Sequence, residues 1–91
     1  MELKWTSAAL ADVSRLYAFL ASVNQPAAAR TVQQLTAAPT TLLINPRIGE
    51  RLEEFVPRDV RRIQIGQYEM RYEIVDSTIF LLRLWHTRED R

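Results

Sequence analysis

Between residues 68 and 75, Tyr68, Met70, Tyr72 and Ile74 alternate with Glu69, Arg71 and Glu73. A period of two predicts a strand with one dry face, because successive side chains point to opposite sides of a sheet. Arg61–Gly66 predicts a strand before it, with Gly66-Gln67 as the tight turn between them. Asp76-Ser77 is a two-residue hairpin turn on the other side, leading into Thr78–His86. Thr78–Trp85 is apolar at both phases apart from Thr78 and Arg83. That pattern belongs to a strand covered on both faces, and so to a central position in the sheet.

Upstream the period changes. Glu2–Thr6 alternates around Leu3 and Trp5, which predicts a short first strand. Thr6 or Ser7 then offers a hydroxyl to an orphan N–H of the following helix. From about Ala8 to Val23 the spacing of Leu10, Val13, Tyr17, Leu20 and Asn24 marks one face of an amphipathic helix. Leu16 and Val23 widen the stripe, while Asp12, Arg15 and Ser22 lie away from its centre. Asn24-Gln25-Pro26 ends this helix, and Pro26 suits the first turn of a second, where its missing N–H is no loss. The second helix carries Ala28, Val32 and Leu35 on one face. Pro39 interrupts or kinks it by removing an internal donor. Thr40–Ile44 resumes as a helical turn, and Asn45-Pro46 stops it. Two helices with a short link make an αα-hairpin. Arg47-Ile48-Gly49 is then a turn, Glu50–Phe55 a strand anchored by Leu52 and Phe55, and Val56-Pro57-Arg58-Asp59 a further turn. The expected fold is α+β: an N-terminal strand, then an αα-hairpin packed on an antiparallel sheet of four to five strands, in a single domain over residues 1–91.

Composition narrows the function classes. A chain of 91 residues buries only about 60–65% of its unfolded surface, so a partner protein is a natural source of further stability. Cysteine is absent, which excludes disulfides and thiolate metal sites. No apolar run approaches the ~18–20 residues of a membrane span, and Met1-Glu2-Leu3-Lys4-Trp5 has no secretory apolar region. We therefore expect a cytoplasmic protein with no membrane partner, no cofactor and no metal site. The net charge is +1, and residues 47–91 carry nine arginines against nine acids. Interleaved charge of this kind argues against a nucleic-acid grip by a basic patch. It suits cross-strand ion pairs, which arginine's planar fork favours.

Four stretches in order resemble the RelE/ParE superfamily of bacterial type II toxins. They are Trp5-Thr6-Ser7-Ala8-Ala9-Leu10-Ala11-Asp12 at the helix start, the Pro46-Arg47-Ile48-Gly49 turn, the strand Tyr68–Ile74 with Tyr68 and Tyr72, and Leu82–Arg88 ending in His86-Thr87-Arg88. The resemblance covers nearly the whole chain. It implies one of two activities. RelE-like members are ribosome-dependent endoribonucleases that cut mRNA. ParE-like members lack the ribonuclease residues and inhibit DNA gyrase. In both branches a cognate antitoxin, here ParD-like or related, wraps the toxin.

Metal-free RNA cleavage needs a proton-transfer group and cations beside the phosphate. His86 is the only histidine and Arg88 lies two residues on, so they are the catalytic pair if the chain is an enzyme with the ribosome and mRNA as partners. The alternative is that His86 ends a strand and bonds the backbone, while Arg88 pairs with Glu89 or Asp90. The tail to Arg91 has no tyrosine or lysine, which favours the ParE-like branch: no catalytic residue, and gyrase inhibition by protein–protein contact. A third reading is a non-toxic partner-binding module. The candidate partner-binding residues are Arg61, Arg62, Arg71, Arg83, Trp85, His86 and Arg88. Tyr17, Tyr68 and Tyr72 are expected in the core, as is Trp5.

Overall fold

The computed structural model describes residues 1–89. Its elements are β1 (Glu2–Trp5), α1 (Ser7–Ala21), α2 (Gln25–Ala37), a 3₁₀ segment (Ala38–Leu43), β2 (Glu50–Arg51), a 3₁₀ turn (Glu53–Phe55), β3 (Asp59–Ile65), β4 (Tyr68–Val75) and β5 (Thr78–His86). The five strands form one sheet in the order β1-β5-β4-β3-β2. The α+β hairpin-on-sheet architecture is the one expected, with one refinement. β1 joins β5 in parallel, Glu2 opposite Thr78 and Trp5 opposite Leu81, so the sheet is mixed. The helical hairpin accounts for this, because it returns the chain to the far edge of the sheet before the antiparallel meander begins.

Both helix starts use side-chain caps. Thr6 Oγ1 accepts from Ala9 N–H, and Asn24 Oδ1 accepts from Ala27 N–H. Pro39 does not break the chain's helical course; it tightens α2 into the 3₁₀ segment, where Pro39 and Leu42 are buried. The helices cover one face of the sheet. Leu16, Leu35, Leu42, Met70, Tyr72, Ile79, Leu81 and Leu84 form the core there, with Trp5, Val13, Ile63, Ile65 and Tyr68 packed around it.

Two expectations are corrected. The strand read over Glu50–Phe55 is only two residues long, because after Arg51 the chain folds into the 3₁₀ turn and brings the Phe55 ring over Arg71. The buried stripe of α1 is Ala9, Asp12 and Leu16, while Leu10 stands exposed. The helix is rotated from the purely apolar reading because Asp12 has a partner inside.

The Pro46–Gly49 turn has a structural cause. Tyr72 donates its hydroxyl to Pro46 O at 2.7 Å and accepts from Gly49 N–H at 2.9 Å. A Cβ on Gly49 would sit 2.6 Å from that hydroxyl and 2.7 Å from Arg62 O. Only glycine fits the approach, so the turn and Tyr72 act as one unit. Burial pushes the Tyr72 phenol above its ordinary pKa, keeping it a neutral donor.

Candidate partner-binding surfaces

β1 is shorter than β5, so beyond Leu81 one edge of β5 has no strand beside it. Unpaired backbone groups at such an edge are costly when buried and adhesive when exposed. Helix α1 and the chain end supply the missing partners. Leu84 N–H donates to Asp12 Oδ2 at 2.9 Å, and Leu84 O accepts from Arg15. His86 N–H donates to Glu89 Oε1, and His86 O accepts from Glu89 N–H. Arg15 Nη1 meets Glu89 Oε2 at 2.8 Å, which joins the two sets of contacts. Arg83 holds Asp12 with two bonds, of 2.8 and 3.1 Å. Burial would raise the Asp12 pKa, but the Arg83 and Leu84 hydrogen bonds and the charges of Arg83 and Arg15 hold it below the usual value. Glu89 is likewise held low despite its burial, by the His86 N–H and by Arg15.

A register shift at Arg71/Tyr72 makes this possible, since Arg71 pairs with Arg83 and Tyr72 with Leu81. Leu82 is the extra residue of a bulge, which re-aims the strand that follows it.

An open groove of about 550 Å³ lies beside this edge, lined by Leu16, Phe19, Leu20, Tyr68, Arg15, His86, Arg88 and Glu89. Phe19 on the outer side of α1 and Val23 in the turn that follows it are 70% and 84% exposed, apolar surface that water does not favour. At the groove's end, the His86 ring meets Tyr68 edge-on at 5.2 Å. His86 Nδ1 accepts from Arg88 N–H at 3.1 Å, and Nε2 lies 3.2 Å from Gln67 Oε1. The neutral ring therefore carries its proton on Nε2 and donates it to Gln67. Arg88 makes no ion pair among the described residues. Asp90, its alternative partner, and Arg91 lie outside them.

The segment around Phe55 and Arg58 lies against the opposite face of the sheet, where it meets Arg71 and Glu73. Arg62, Arg71 and Arg83 stand in one cross-strand row there, Arg62 opposite Arg71 and Arg71 opposite Arg83. Glu73 lies on one side of the row; Glu69 and the buried Trp85 lie on the other. Arg71 sits over the Trp85 ring at 4.9 Å and over Phe55 at 5.9 Å. Arg58 grips Glu73 with two bonds of 2.9 Å, which lowers the Glu73 pKa.

The structure thus divides the sequence candidates into three groups. Arg62, Arg71, Arg83 and Trp85 share the open face. His86 and Arg88 border the groove. Arg61 belongs to neither, since it faces the hairpin side and donates to Arg47 O and Gly49 O, securing the turn. Asp12, Arg15 and Glu89 escaped the sequence reading. Their one signal was Arg83, the lone charge in an apolar run, with Asp12 at helical spacing between Ala9 and Leu16.

The sequence profile of the family described as the ParE toxin of the type II toxin-antitoxin system, parDE, matches residues 3–91. The chain belongs to the ParE toxin family. A solved structure titled as the chromosomal ParDE TA system from P. aeruginosa superposes on this ParE-family fold with a TM-score of 0.80. The two share 25% identity over 94% of this chain and 95% of that one. No curated protein shows significant similarity. No helix among the described residues is long and apolar enough to cross a membrane.

Proposed function

We propose that this ParE-family chain inhibits DNA gyrase by protein–protein contact in the cytoplasm, and that a cognate ParD-like antitoxin neutralises it by laying an amphipathic segment in the α1 groove. The observation that carries the non-catalytic reading is the commitment of His86. Both its ring nitrogens are engaged within the fold, one by Arg88 N–H and one by Gln67. A general base needs a lone pair aimed at substrate. Family membership supports the target, and the exposed Phe19 beside the groove supports the antitoxin site.

The test sets purified toxin against gyrase supercoiling and against programmed ribosomes. Loss of supercoiling, reversed by the antitoxin and retained in His86→Ala, is the expected result. Unaffected supercoiling with A-site mRNA cleavage that His86→Ala abolishes would replace this reading with ribonuclease activity.

A further inference from the structure

The neutral charge sum of residues 47–91 hides a segregation in depth. Side-chain exposure is 53% for Arg58, 43% for Arg62 and 53% for Arg83, against 14% for Glu73, 10% for Glu69 and 6% for Asp12. Arg58 and Arg62 on the open face, and Arg83 where it reaches round the β5 edge to Asp12, stand further out than these acids; Arg71 is 25% exposed, and Arg62 also meets the exposed Glu50. A partner approaching this side meets these three guanidinium groups together with the exposed Glu50. Like charges directly opposite across strands destabilise a sheet, yet Arg62, Arg71 and Arg83 occupy three consecutive facing positions. The buried carboxylates offset that repulsion and hold the forks in place. The rings of Trp85 and Phe55 support Arg71 from the sides. Each fork still has donors left over, since a guanidinium carries five.

We propose that the Arg62–Arg71–Arg83 row, with Arg58 beside it, binds the phosphodiester backbone of nucleic acid. Neighbouring strands lie about 4.8 Å apart, so the row is a line of closely spaced cations suited to a line of phosphates. Val60 and Trp85 on this face are buried, and Phe80, opposite Glu73, is only partly exposed. Guanidinium contacts to phosphates hold the backbone without reading sequence. The proposal goes beyond gyrase inhibition and does not depend on it.

Fluorescence anisotropy of a labelled 20-base-pair DNA duplex, titrated with the isolated full-length chain at 50 and 200 mM salt, tests this. A single-stranded RNA of equal length forms a second arm. Three phosphate contacts predict that affinity for the duplex falls about 40-fold across that salt range, and only about 12-fold for Arg62→Gln, which loses one contact. Glu50→Gln removes the exposed carboxylate 2.6 Å from Arg62 and should tighten binding at 50 mM salt. Both substitutions lie on the surface, and a circular dichroism spectrum confirms that each variant is folded. Preference for duplex or for RNA identifies the source of the backbone, and either supports the proposal. Absence of binding at 50 mM salt, binding unchanged in Arg62→Gln, or tighter capture of poly-glutamate than of either nucleic acid would overturn it. Gyrase is absent from the assay, so its outcome and that of the supercoiling test are independent.

Discussion

On the hairpin side of β4 stand Tyr68, Met70, Tyr72 and Ile74; on the other side of the same strand stand Glu69, Arg71 and Glu73. Both sides are largely shielded from water, by different means. The first is shielded by two helices and holds its shape through apolar contact, with polar atoms only where a hydroxyl or carboxylate has a defined partner. The second is covered by its own long side chains, with guanidinium groups spread over carboxylates and rings. Apolar packing is dense and intolerant of lost volume, whereas a charged canopy can lose one member at small cost to the fold. The contrast implies that mutations on the first side should damage stability, and mutations on the second should damage recognition.

The largest effect is expected from Leu81→Ala, which empties a fully buried site beneath the hairpin. A loss of about 2–5 kcal/mol, read as a shift in the urea midpoint, checks it. Asp12→Ala should cost about 2–3 kcal/mol, because the Leu84 N–H loses its acceptor and Arg83 its carboxylate. Tyr72→Phe comes next, at about 1–2 kcal/mol, since the Pro46 carbonyl and Gly49 N–H lose one shared partner. The smallest effect on stability is expected at Phe19→Ser, within about 0.5 kcal/mol. The same variant should weaken antitoxin capture tenfold or more, as calorimetry would show. A large stability loss there would mean that α1's outer side belongs to the core.

Acid sharpens the comparison further. Asp12, Glu73 and Glu89 titrate below ordinary carboxylate values in the folded chain. Their stabilisation is complete above the unfolded carboxylate range, near about pH 4, and is lost as pH falls through the folded values. Thermal melts from pH 6 downward should show stability declining on that side. Asp12→Asn should flatten the decline, since its side chain no longer binds a proton.

The meander was legible from Arg61 onward, two residues inside the observed start of β3, because β3, β4 and β5 are joined by turn residues, Gly66 and Asp76 among them, both at positive φ. The hairpin was legible from Pro26 and the helical spacing. What the pattern concealed follows from tertiary contact. Asp12 reads as a solvent-facing residue until a bared strand edge is placed beside it. Glu50–Phe55 reads as a strand until Phe55 finds Arg71. The arginine row could not be seen along the chain, because facing positions depend on register, and a single bulge at Leu82 fixes which residue of β5 lies opposite Arg71.

The parallel pairing of β1 with β5 also bears on how the molecule is made. Glu2 and its neighbour in the sheet, Thr78, lie far apart along the chain. During synthesis β1 has no strand to pair with until β5 has been made. Contacts so distant in sequence form late. This edge of the sheet closes only once β5 is free of the ribosome, so a nascent chain holds β1 and the helical hairpin without their strand partner until then.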